Sequence, residues 1–190
     1  MREVLDAMND MKRIYSGKGD KGETDLIGGK RVLKDNLRIA SLGDVDELNA
    51  AIGVAMTALE DREIVSILHR IQNDLFTMGA DLSVVPGKKP RLPNVEADHV
   101  KALEADIEKM GPRSARKFVL PGGSTDVAHL QLVRTVARRA ERTVVSLSKK
   151  EKVNPLILTY LNRLSTLLYV LALSLKRSAG VEEEHPTYLE

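Results

Sequence analysis

The chain has 190 residues, of which 43% are hydrophobic, and it carries 29 Lys plus Arg against 27 Asp plus Glu. That suffices for one ordinary core and predicts one domain, while a net charge of +2 is too small for bulk attraction to nucleic acid or anionic lipid. The absence of cysteine excludes disulfides, thiolate metal sites and cysteine nucleophiles, and it fits a reducing cytoplasm.

Residues 1–13 read as an N-terminal extension, and Arg2, Glu3 and Asp6 without an apolar run argue against a secretory signal. Residues 12–43 are rich in glycine and charge and lack a clean period, which predicts an ordered loop or a flexible tail. From Asp44 to Leu59 the residues Val45, Leu48, Ile52, Ala55, Met56 and Leu59 recur on one helix face. A second helix is expected from Asp61, as N-cap, to about Leu82, with Ile64, Ile67, Leu68, Ile71, Leu75 and Met78 inward. Asn94 is expected to cap a third, with Val100, Leu103 and Ile107 on one side and a stop at Gly111-Pro112. The fourth runs from near Ser124 to about Lys150, and the fifth starts at Asn154-Pro155 and ends before Gly180. No sustained alternating strand is visible, so the class is all-α, a bundle of five helices, followed by a solvated tail over residues 181–190. The run Leu156 to Leu175 is long enough to raise a membrane, but Asn162 and Arg163 near its middle favour a buried bundle helix.

Gly17, Gly19 and Gly22 satisfy a dinucleotide fingerprint without the strand and helix that would give it meaning. Gly17, Gly22 and Thr24 nearly complete a Walker A loop, but Glu23 stands where Lys must be. Closely spaced glycines still let backbone N–H groups converge on an anion, with Lys18 and Lys21 adding charge; the alternative is a plain surface turn. Arg134, Arg138 and Arg142 follow one another at i, i+4 with Arg139 beside them, a repulsive arrangement that needs an anion. Either Glu141 and acids such as Asp44, Asp46 or Glu47 compensate it, or a polyphosphate does, to which guanidinium forks are suited. Asn162, with Thr166 a turn later, either makes a buried interhelical hydrogen bond or meets a ligand. His69, His99, His129 and His185 have no ligand spacing, and no acid–base dyad or activated serine stands out.

The stretches IYSGKGDKGETDLIGG, RVLKD, GDVDELNAAIG, IQNDLFTMGADL, FVLPGG, VRTVARRAERTVVSL and YLNRLSTLLYVLA resemble, in order and spacing, the PduO-type ATP:cob(I)alamin (corrinoid) adenosyltransferases over roughly residues 14–175. The resemblance implies a ferritin-like bundle over residues 14–180 that forms a homotrimer with ATP between subunits and the corrinoid above it. It implies transfer of the 5′-deoxyadenosyl group of ATP to Co(I) with release of triphosphate, so cobalt is the nucleophile. A corrinoid reductase or flavoprotein would supply electrons, and an adenosylcobalamin-dependent enzyme would accept the product. The rival readings are a sensor or chaperone that binds ATP and corrinoid without turnover, and a helical adaptor.

By motif position, the phosphate loop within residues 15–35 would use Ser16, Gly17, Lys18, Gly19, Asp20, Lys21, Gly22, Thr24 and Asp25, with Lys34 after it. Arg138, Arg139, Glu141 and Arg142 match the R-R-A-E-R run that meets ATP, and Asn162 matches the Asn of N-R-L-S. Arg134 would pair with Asp46 across subunits, and Phe118 would help displace the lower axial ligand of the corrinoid. Mg²⁺ would come with the triphosphate, held by phosphate oxygens and water. Four positions depart from the pattern: Asp25 for Ser or Thr, Gln131 for His, Thr166 for Asp and Leu173 for Arg.

Overall fold

Helices here begin where a side chain can satisfy the first free amides. In the computed structural model, which describes residues 17–88, 92–111, 119–180 and 184–187, α1 (Leu37–Met56) starts at Asn36, whose side-chain oxygen accepts from the Arg38 amide at 2.9 Å. This is two turns earlier than the apolar period shows, because the helix continues N-terminally through Gly43 with Ile39, Leu42 and buried Ser41. Asp61 caps α2 (Arg62–Ser83) by accepting from Glu63 and Ile64, as expected.

The cap of α3 (Ala97–Met110) is Glu96 rather than Asn94, in a capping box with His99, whose Nδ1 accepts from the Glu96 amide at 3.0 Å. The shift has a tertiary cause. Val95 is buried and fixed on both sides, its N–H donating to Asp81 and its carbonyl accepting from Asn154 at 2.8 Å, so the helix starts only after it. Ser124 precedes α4 (Thr125–Ser148), and Asn154 with Pro155 opens α5 (Pro155–Ser178), its Oδ1 accepting from Leu156.

α1 packs against α2 and α4, α4 also against α5, and α5 against α3. The pairs Arg38–Leu82 with Asn49–Gln72, Glu47–Arg139 with Asp44–Thr143, and Arg70–Asp106 with Glu63–Lys109 run in opposite sequence sense, so these neighbours are antiparallel. Every apolar residue expected inward on α2 is buried, and Val45, Leu48, Ile52, Ala55, Val100 and Leu103 join it in one core. α5 is long and apolar enough to cross a membrane, yet 61% of its apolar window is buried in the bundle. It is also where Tyr160 donates its hydroxyl to buried Asp74 at 2.8 Å.

The loop region departs from expectation by forming a hairpin: β1 (Glu23–Leu26) and β2 (Lys30–Leu33) pair antiparallel, Asp25 opposite Arg31. Four residues per strand are too few to show a period of two. The turn uses Gly28 and Gly29 at φ 110° and 87°, where a side chain would be strained. Ile27 then pins the tip to the end of α2, donating to Ser83 and accepting from Val85, both at 2.9 Å.

Candidate functional site

Two groups of the expected site residues are assembled, in different places. The first is the glycine loop. Gly17 and Gly22 adopt φ of 68° and 79°, and the turns close through Asp20 N–H to the Gly17 carbonyl and Gly22 N–H to the Gly19 carbonyl. The Lys34 amide donates to the Gly22 carbonyl at 2.8 Å, and its ammonium lies so close over Gly19 that a Cβ there would be 3.0 Å from Nζ. Lys34 is thereby part of the loop's surface, and Lys18 and Lys21 are exposed beside it. Thr24 is half-buried in β1. Asp25 is taken up by its cross-strand partner Arg31 at 3.3 Å; Arg31 also reaches Glu23 at 3.3 Å and the Lys18 carbonyl at 3.0 Å. Arg31 is a loop staple that the motif reading missed, because only the strand register sets it opposite two acids. Ser16 and Phe118 lie outside the described residues.

The second group is on α4 and α5. Arg139 turns toward α1 and forms an ion pair with Glu47, one of the acids named as able to compensate the ridge. Arg138 and Arg142, one helical turn apart, are exposed, and among the described residues neither guanidinium has an ion pair or hydrogen bond. Glu141, half-buried between them, accepts from Asn162 Nδ2 at 3.1 Å, while Asn162 Oδ1 accepts from Arg163 at 3.0 Å. Asn162 is therefore exposed and not buried as expected: it bridges α5 to α4 at the surface, beside the two open guanidiniums. Arg163 is held from the other side by Glu104 of α3 at 2.9 Å.

Arg134 lies half-buried and donates to Gln131 at 2.8 Å. Burial first, and then the charge of Arg138, pull its pKa below the ordinary arginine value, a sign that the ridge is electropositive and poorly compensated. Asp46 is exposed in the groove between α1 and α2, which Ile39, Leu42, Leu75 and Phe76 also line. Arg134 lies on the other side of α4, near Tyr169 of α5. Within one chain the two do not meet. Nor do the contacts of Gly17, Gly19, Asp20, Gly22, Thr24, Asp25 or Lys34 reach Arg138, Arg142 or Asn162.

A glycine loop with a lysine over it, and two unspent guanidiniums beside a Glu–Asn bridge, are each suited to bind a polyanion. Residues 14–175 match the sequence profile of the family described as Cobalamin adenosyltransferase. The chain belongs to that family. It is 44% identical over 178 residues to the cobalamin adenosyltransferase of Cupriavidus metallidurans, covering 90% of this chain and 92% of that one. To the corrinoid adenosyltransferase of Bacillus subtilis it is 38% identical over 175 residues, covering 89% of each. Its fold is similar, with a TM-score of 0.85 and 30% identity, to a variant PduO-type ATP:corrinoid adenosyltransferase from Lactobacillus reuteri complexed with cobalamin and ATP; the match covers 92% of this chain and 96% of that one.

The four positions expected to depart from the family pattern have local partners or surroundings. Asp25 forms an ion pair with Arg31. Gln131, buried, gives Arg134 a neutral acceptor. Thr166 donates back to the Asn162 carbonyl at 3.3 Å, and Leu173 is buried in the core.

Proposed function

We infer that this member of the adenosyltransferase family transfers the 5′-deoxyadenosyl group of ATP to the Co(I) of a corrinoid. The bond from cobalt to C5′ forms, the C5′–O5′ bond breaks, and the electron pair leaves with triphosphate. The protein needs no nucleophile of its own; its tasks are to align the two substrates and to stabilise the charge on the leaving group. The observation that carries this reading is the pair Arg138 and Arg142, exposed and, among the described residues, without acid partners where Arg139 next to them has one. Two guanidiniums a turn apart can take adjacent phosphates of the triphosphate, and the Glu141–Asn162 bridge fixes the helix face from which they project. Lys34, with Lys18, Lys21 and the N–H groups of the glycine loop, supplies the other half. Ser16 and Phe118 keep the roles given them by motif position.

Because, among the described residues, the contacts given for the loop do not reach Arg138, Arg142 or Asn162, the complete ATP site is proposed to form between subunits of a homotrimer. Asp46 on one face and Arg134 on another are then free to pair across the interface, and Phe76, 71% exposed next to Asp46, supplies apolar surface for it. Mg²⁺ would accompany the triphosphate, held by its oxygens and water. The reading also carries a cytoplasmic location, a corrinoid reductase or flavoprotein as electron donor and an adenosylcobalamin-dependent enzyme as acceptor of the product.

The test is an anaerobic absorbance assay with pre-reduced cobalamin and Mg²⁺. Loss of the Co(I) spectrum that needs both ATP and protein, with a light-sensitive cobalt–carbon product and free triphosphate, is the expected outcome. ATP binding without conversion would transfer the case to the sensor or chaperone.

A further inference from the structure

The last turn of α5 buries a lysine that none of the site described above uses. Lys176 is 3% exposed, and the hydrogen bond described for its ammonium is to the Leu120 carbonyl at 3.4 Å. Its stem lies along the loop before α4, close enough that a Cβ at Gly123, which has φ 112°, would be 3.2 Å from Lys176 Cε. Leu120 in turn donates its N–H to the Glu184 carbonyl at 2.8 Å. The segment Val119–Gly123 is thus gripped on one side by the end of α5 and on the other by the tail.

Among the described residues no carboxylate pairs with this ammonium, an expensive burial, and among the apolar neighbours Ala172 and Leu173 a leucine would pack at no such cost. A lysine near a helix C-terminus is favourable toward that helix's own carbonyls, but this one is turned to the carbonyl of another segment. What the ammonium gains is a fixed backbone at Leu120. That backbone directly follows Phe118, the position tied by motif to the corrinoid, and the Leu120 side chain stands 40% exposed on it. We propose that Lys176 is a positioning residue for the corrinoid: it clamps Val119–Gly123 so that the corrinoid meets a preformed wall, and it has no part in holding ATP. This rests on the adenosyltransferase reading above.

Lys176→Met keeps the length of the side chain and removes the ammonium. In the full chain, assayed with pre-reduced cob(I)alamin, Mg²⁺ and ATP, it is expected to raise KM for the corrinoid about tenfold and to leave KM for ATP within about twofold. The absence of cysteine offers a clean rescue. Lys176→Cys, alkylated with bromoethylamine while unfolded and then refolded, regains an ammonium at nearly the same reach, and the corrinoid KM is expected to return to within about threefold of the original. Comparing this variant before and after alkylation gives the same answer should Lys176→Met not fold. Turnover by the unsubstituted chain with corrinoid and ATP constants that rise together in the variants, or that do not move, overturns the proposal alone. No turnover by the unsubstituted chain overturns the adenosyltransferase reading itself. Hydrogen exchange adds a measure independent of turnover: the Leu120 amide is expected to exchange faster without the ammonium and to regain protection on alkylation, and unchanged exchange overturns the clamp.

Discussion

Arg38 and the pair Arg138 and Arg142 are the same side chain under opposite conditions. Arg38, 3% exposed at the start of α1, spends its donors on Glu151 at 2.8 Å, the Leu82 carbonyl at 2.8 Å and the Lys152 carbonyl at 3.2 Å. It ties the beginning of α1 to the end of α2 and to the link between α4 and α5. Arg138 and Arg142 stand in solvent with nothing described to receive their donors. The first arrangement makes structure and resists exchange with solvent. The second leaves charge available for a ligand that arrives as a polyanion. Where an arginine's partners are, rather than how many arginines a helix carries, separates the two uses.

The contrast breaks most visibly at the open pair. Arg138→Ala or Arg142→Ala is expected to lower adenosyl transfer about 10²–10³-fold with little change in thermal unfolding, as for removal of a donor to developing charge. Steady-state rates combined with melting curves check it, and an unchanged rate would remove the triphosphate clamp. Arg38→Met should do the reverse, costing about 3 kcal/mol of stability because Glu151 and two carbonyls lose their donor. Urea unfolding measures that cost, and activity per folded molecule is expected to survive.

Tyr160→Phe sharpens the same lesson inside the core, where a neutral donor serves buried Asp74. Its loss is expected to cost about 1–3 kcal/mol at neutral pH. Burial, then the charge of Asp74, raises the Tyr160 pKa well above its ordinary value of 10.0. A raised pKa means that this stabilisation is complete below pH 10.0 and is lost as pH rises through the folded-state value. Unfolding free energies measured across that alkaline range should fall more steeply for the unsubstituted chain than for Tyr160→Phe. The smallest effect is expected at Arg139→Ala: an exposed pair with Glu47 contributes about 0–1 kcal/mol, and transfer should change far less than at Arg138. A loss as large as at Arg138 would place Arg139 on ATP instead.

Much of the scaffold was legible because periodic apolar residues and capping side chains act locally. Asp61, Asn154 and the inward face of α2 needed no tertiary information. The hairpin was not legible, since two four-residue strands become stable only when Ile27 docks on Ser83 and Val85 and Arg31 meets Asp25 and Glu23 across the register. Asn162 was misread as buried because it interrupts an apolar run, and only the packing of α5 on α4 decides which side of that run faces water. Asn94 lost the cap of α3 to Glu96 for a similar reason, the long-range hold of Asp81 and Asn154 on Val95.

The sequence by itself determined the helical class and the family and proposed which residues meet a triphosphate, because propensity, caps and motif spacing are properties of neighbouring residues. Only the tertiary structure decided which arginines are spent and which remain open, since an ion pair such as Arg139–Glu47 or Arg38–Glu151 depends on distances between segments far apart in the chain. It also decided that a buried lysine at the end of α5 grips the loop before α4.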